Sequence, residues 1–153
     1  MSEAARARLI AEARTWIGTR FRHQAAAKGA GCDCAGLVRG AGHAAGVLDI
    51  APAAWAAVGN YGRQPHPKRM RQALEMFLLP LAGGEIAAEP GDVVWMEWRR
   101  ELPMHLAILA QDARGRWTMI HALSDFGRVV EHGFTAEWQE RVTSWWRYPG
   151  LAG

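Results

Sequence analysis

The chain has 153 residues, half of them hydrophobic, 22% charged and 9% aromatic. That composition excludes a disordered or fibrous chain, and the length predicts one domain over residues 1–153, able to hide roughly two-thirds of its unfolded surface. Net charge is +3 but uneven: the first 80 residues carry 11 basic and 5 acidic side chains, the rest 7 and 10. No basic run is interleaved with aromatics as a nucleic-acid groove requires, so no nucleic-acid partner is expected. No apolar run reaches the ~18 residues of a membrane span. Arginines at 6, 8 and 14 have no apolar stretch behind them, so a soluble chain made in the cytoplasm without a signal peptide is expected.

Residues 3–17 read as an amphipathic helix with Ala5, Leu9, Ala13, Trp16 and Ile17 on its buried face and Gly18 at its end. A loop of small residues follows over 18–33. Asp33 then caps a second helix that buries Leu37, Val38 and Ala41 and stops near Gly46. Residues 47–66 are irregular, and a third helix over 68–79 is stopped by Pro80. From Pro90 the pattern alternates with period two, giving strands over 92–98, 104–110, 116–123 and 127–132, a short helix over 135–142 and a last strand over 144–148. Helices first and an antiparallel sheet second is an α+β arrangement.

The chemistry concentrates at Asp33-Cys34-Ala35-Gly36-Leu37. A thiol at a helix start faces unpaired backbone N–H groups and the positive end of the dipole, which favours thiolate and gives a ready oxyanion site. Gly36 allows close approach of another chain or a substrate. Cys32, one residue from Cys34, is too near for an unstrained disulfide, so both thiols are expected free. A cysteine nucleophile needs a base and the base needs an orienter. If 104–110 and 116–123 form a hairpin turning at 112–115, Ala110 faces Arg116 and His105 faces His121, two imidazoles meeting on one face. Cys32, Cys34, His105 and His121 make a zinc set by count only, because one intervening residue is not the zinc spacing, and no metal is expected. His43, His66 and His132 read as surface residues.

Together, Asp33-Cys34-Ala35-Gly36-Leu37, Pro90-Gly91-Asp92-Val93-Val94, Met104-His105-Leu106-Ala107-Ile108 and Met119-Ile120-His121-Ala122 resemble the ordered signatures of NlpC-type cell-wall cysteine peptidases, over about residues 5–147. The resemblance implies a papain-like α+β fold, N-terminal helices packed on a C-terminal antiparallel sheet. It implies an endopeptidase, without cofactor, acting on amide bonds of peptidoglycan stem peptides, usually the bond from D-γ-glutamate to the diamino acid. By position Cys34 matches the nucleophile, His105 the base and His121 the third polar residue. Gly18-Thr19-Arg20-Phe21-Arg22-His23-Gln24 looks most like the phage-type branch of tailed phages and gene transfer agents. That implies a phage-like tail-tip protein as partner and delivery to the periplasmic wall on a particle. The family usually carries a tyrosine where Phe21 stands, and Phe cannot donate a hydrogen bond; either the Cys34 backbone N–H suffices, or His23 or Gln24 supplies the missing polar group. With Asp33 and Trp55, a loop residue able to line the cleft, they complete the expected substrate and oxyanion surroundings. A non-catalytic tail-tip protein of the same fold, and an acyltransferase or isopeptidase on another substrate, are the alternatives.

Overall fold

The computed structural model describes residues 2–49, 67–99 and 102–152. Ala5, Leu9 and Ala13 recur every fourth residue, and the first helix, α1 (Ser2–Thr15), turns that stripe inward. Glu3 in the first turn and Arg14 in the last complement the helix dipole. The helix ends before Gly18, which takes φ 92°, while the Trp16 carbonyl accepts the Thr19 amide at 2.9 Å. Ile17, expected on the buried face, lies beyond the last turn and is 46% exposed.

The loop after α1 contains a short hairpin that the sequence did not predict, β1 (Ala26–Ala27) paired with β2 (Gly31–Cys32). It leads into α2 (Cys34–Ala44), which buries Leu37, Val38 and Ala41 as expected. Gly40 and Gly42 lie so close to the Trp16 and Tyr148 rings that a Cβ at either would collide, and the Tyr148 hydroxyl donates to the Val38 carbonyl at 2.6 Å. Beyond the undescribed 50–66 comes α3 (Pro67–Phe77), then β3 (Leu79–Pro80). Pro80 ends the helix as predicted and sits in a strand at the sheet edge, where its missing N–H costs no interior ladder bond.

The period-two region forms β4 (Val93–Arg99), β5 (Leu102–Gln111), β6 (Trp117–Leu123), β7 (Arg128–Gly133), the one-turn helix α4 (Ala136–Gln139) and β8 (Val142–Arg147). With β3 these make an antiparallel sheet in the order β3-β8-β4-β5-β6-β7. The β5–β6 hairpin is two residues out from its expected register: Ala110 pairs with Thr118, not Arg116. The cause is the turn, where the Asp112 carboxylate accepts the Arg114 and Arg116 amides at 2.9 and 3.0 Å while the Asp112 amide donates to the Arg116 carbonyl at 2.9 Å, so that Arg116 faces Asp112 instead of Ala110. An even slip preserves which face each side chain occupies.

Both sheet faces are covered, with residues alternating between them. Val93, Trp95, Leu106, Ile108, Ile120 and Trp146 join the helices through Leu9, Trp16 and Leu37. Val94, Met96, Ala107, Leu109 and Met119 form a second cluster with Phe134 and Trp138. The helix layer is tied to the sheet by Asp92, fully buried before β4. Arg147 clasps its two oxygens at 2.9 and 2.8 Å, and Arg6 of α1 reaches it at 3.1 Å and the Pro90 carbonyl at 2.8 Å. Breaking a buried pair leaves an uncompensated charge, typically at ~3–5 kcal/mol. Asp92→Ala should lower the urea midpoint by that amount at unchanged m value; a shift worth under ~1 kcal/mol would show the clasp to be dispensable.

Candidate active site

Cys34 is the first residue of α2, and the chain before it is built around one carboxylate. Asp33, extended at φ −105°, ψ −173°, accepts the Gly36 amide on Oδ1 at 2.8 Å and the Gln24 amide on Oδ2 at 2.7 Å. The cap therefore holds both the helix start and the preceding loop, where Gln24 takes φ 61°. Gly36 is needed because the Ala25 carbonyl lies where a Cβ would stand; its close neighbour is the chain's own backbone.

The position of the sulfur follows from the sheet. Leu109 directs its N–H toward β4, onto the Asp92 carbonyl at 2.8 Å. By alternation the Leu106 amide points toward β6. Pairing between β5 and β6 ends at Ile108 opposite Ile120, so the strands have parted at Leu106. The Leu106 amide donates instead to the Cys34 sulfur, joined there by the amides of Cys34 and Ala35. Cys34 thus stands one residue from His105 along β5.

His105 and His121 are buried on the sheet face away from the body of α2. His105 Nε2 meets His121 Nδ1 at 2.7 Å. They are diagonal rather than directly opposed, since His121 belongs across from Ala107 in the observed register, yet the side chains meet. The contacts continue: His121 Nε2 meets His132 Nε2 at 2.7 Å, and His132 Nδ1 meets the Gly133 carbonyl at 3.0 Å. His132, read from sequence as a surface residue, is half-buried in this chain, with the Phe126 and Trp138 rings beside it and His121. A usable signal existed. The β6–β7 connection is short, and Met119 pairs with His132 and His121 with Val130, so 121 and 132 share a face two residues apart.

Of the remaining candidates, Asp33 and Gln24 adjoin Cys34, and Phe21 bridges to Cys32. Phe21 is half-buried, packed on the core, with its amide donating to the Gly127 carbonyl at 2.9 Å. His23 is exposed near the Asp33 carboxylate, and Gln24 is half-buried. Asp33 is buried, and both its oxygens hold amides. Cys32 is fully buried, and no disulfide joins it to Cys34. Trp55 and His66 lie outside the described residues, and His43 is exposed. Among the described residues, no group of three or more His, Cys, Asp or Glu side chains is placed to hold a metal ion.

No family model and no curated protein matches the chain. Solved structures do. An NLP/P60 family protein of Staphylococcus aureus subsp. aureus Mu50, described as similar to a lipoprotein, has a TM-score of 0.62 at 15% identity, over 95% of this chain and 42% of that one. The peptidoglycan hydrolase RipB of Mycobacterium tuberculosis gives 0.57 at 16% identity, over 97% of this chain and 66% of that one. The NlpC/p60 domain of the peptidoglycan hydrolase SagA gives 0.55 at 18% identity, over 92% of this chain and 96% of that one. The chain spans less than two-thirds of the first two. The likeness defines the fold: it is the papain-like α+β fold of NlpC/P60 domains.

Protonation at the site differs from the expectation for a helix start. Burial, reinforced by the Asp33 charge, pushes the Cys34 thiol up to about 12, although the Leu106, Ala35 and Cys34 amides pull the other way. Burial pushes Cys32 up to about 12 as well. It drives His105 down to about 3 and lowers His121 too. The resting thiol and imidazoles are therefore all neutral. A histidine depressed in the folded state is protonated first in the unfolded chain, so stability is lost as pH falls from 6.5 toward about 3. A raised thiol ionises first in the unfolded chain, so stability is lost above about 9. The melting temperature should be flat between those limits, and its acid limb should flatten in His105→Gln/His121→Gln. An acid limb unchanged in that double variant would show that the histidines are not buried neutral.

Proposed function

We propose that this chain is a cysteine peptidase cleaving amide bonds in peptidoglycan stem peptides, with Cys34 as nucleophile, His105 as base and then acid, and His121 as the group that orients His105. The observation that carries the reading is the Cys34 sulfur held by the Leu106 amide, beside a His105 bonded to His121 at 2.7 Å. Because thiol and imidazole rest neutral, the proton passes to His105 as sulfur attacks the carbonyl carbon, not beforehand. The oxyanion forms against the backbone N–H groups at the start of α2. Collapse breaks the C–N bond, His105 protonates the departing amine, and a thioester remains on Cys34. His105 then takes a proton from water as its oxygen attacks the thioester, the C–S bond breaks, and the thiol regains its proton.

The names of two proteins of like fold, RipB and SagA, support peptidoglycan as the polymer. The four sequence signatures support the bond from D-γ-glutamate to the diamino acid. The likeness of residues 18–24 to the phage-type branch supports delivery on a phage-like tail, bound to a tail-tip protein.

Purified muropeptides incubated with the protein should yield, by mass spectrometry, fragments with a new amine on the diamino acid, and Cys34→Ala should abolish them at nearly unchanged melting temperature. Intact muropeptides with the wild-type chain, or cleavage by Cys34→Ala, would overturn the assignment.

Phe21 sets a second test. An oxyanion donor is typically worth ~2.7–4 kcal/mol, so a chain that had simply lost one should gain on Phe21→Tyr. With His23 or Gln24 in its place, Phe21→Tyr should change kcat less than about threefold, while His23→Ala or Gln24→Ala lowers kcat at unchanged KM. A large gain from Phe21→Tyr, with both alanine variants unaffected, refutes the replacement.

A further inference from the structure

The three-histidine chain has a direction, set at its far end. The Gly133 carbonyl can only accept, so the proton at that 3.0 Å contact belongs to His132 Nδ1. A neutral His132 then has a bare Nε2, which can only accept, and the 2.7 Å contact places a proton on His121 Nε2. Neutral His121 is consequently bare at Nδ1, and the next 2.7 Å contact places a proton on His105 Nε2. His105 is left with its lone pair on Nδ1. The opposite order would set two lone pairs against each other at the His121–His132 contact unless a ring carried a charge: burial disfavours that charge at His105 and His121, and at His132 it would put protons on both nitrogens, the case that the wild-type nitrogen shifts below distinguish.

We propose that His132 is a positioning residue of the site: through His121 it holds His105 in the tautomer whose Nδ1 lone pair accepts the Cys34 proton. The proposal rests on the reading of Cys34 as nucleophile given above. The surroundings of His132 suit the role. It borders an open groove with Arg14, Gln111, Asp112, Thr118 and Glu131. The charges there are matched among themselves: Glu131 binds Arg14 at 2.9 Å through both oxygens and Thr118 at 2.7 Å, and Asp112 binds Arg116 at 2.9 Å. Neither carboxylate is thus drawn off its own partners, and His132 stays turned to Gly133 and His121. The Phe126 and Trp138 rings wall the contact with His121.

The test uses the full chain, 15N-labelled, at pH 7.5. Imidazole nitrogen shifts should report His132 protonated at Nδ1 and both His121 and His105 at Nε2. In His132→Phe the second contact loses its acceptor, His121 and His105 should become tautomer mixtures, and iodoacetamide alkylation of Cys34 should slow about tenfold or more, the scale of lost supporting hydrogen bonds elsewhere. Kcat on a stem peptide should fall in step at unchanged KM. His132→Gln, whose amide oxygen accepts, should restore both rates to within about threefold. Opposite tautomers in the wild-type chain, or a folded His132→Phe with wild-type alkylation, overturns the relay alone. Should His132→Phe not fold, the wild-type shifts still decide. A wild-type Cys34 that reacts no faster than in His105→Ala overturns the nucleophile reading, and the relay with it.

Discussion

A backbone amide in the interior must find an acceptor, and at Leu106 the neighbouring strand no longer supplies one. The β5–β6 ladder has ended at Ile108 and Ile120, and the Cys34 sulfur takes the vacant place. This one substitution of a side chain for a strand fixes the geometry of the site. It brings the start of α2 to the point where the sheet opens, and it sets the thiol beside His105. The loop ahead of α2 is shaped to permit that approach: Ala25 closes against Gly36, and the Asp33 carboxylate joins loop to helix.

The same burial that builds the site keeps it uncharged. His121 lies under Phe126 and Trp138, and His105 is buried against His121, where an imidazolium is costly. His105 and His121, both held neutral, meet in hydrogen-bonded sequence, and the half-exposed His132 carries the sequence to a backbone carbonyl. Such an arrangement costs acid stability, since both buried imidazoles must be protonated as the chain unfolds in acid.

Much of this was readable from residue order. The switch from a helical to an alternating pattern near Pro90 separated helix layer from sheet, and Asp33 with Gly36 marked the capped helix start. The histidines met despite a wrong register because the error was two residues, and an even slip keeps the face. What failed had physical reasons. Asp112 moved the turn one residue along the chain through side-chain hydrogen bonds that pattern counting does not weigh. The β3 strand is two residues long, one of them proline, and has no periodicity to detect. His132 looked like a strand end because its partner is a histidine on the next strand, not a sequence neighbour. The thiol's protonation was misjudged in sign, since a helix start is visible in sequence while the depth of burial around it is not.

Asp33 and Asp92 show how differently a buried carboxylate can be used. Asp92, with Glu89, meets the Arg6 and Arg147 guanidinium groups, two charges of each sign that join α1 to the sheet. Asp33 spends its oxygens on the amides of Gln24 and Gly36, and its charge is felt by the adjacent thiol, which it helps hold in the protonated form. Position and reactivity are therefore opposed in one residue: the cap that places Cys34 also resists its ionisation. If Cys34 is the nucleophile proposed above, a base must take its proton during attack. On that proposal the histidine chain has its place, because a His105 of the wrong tautomer would present N–H to the thiol and leave the cap's resistance unanswered.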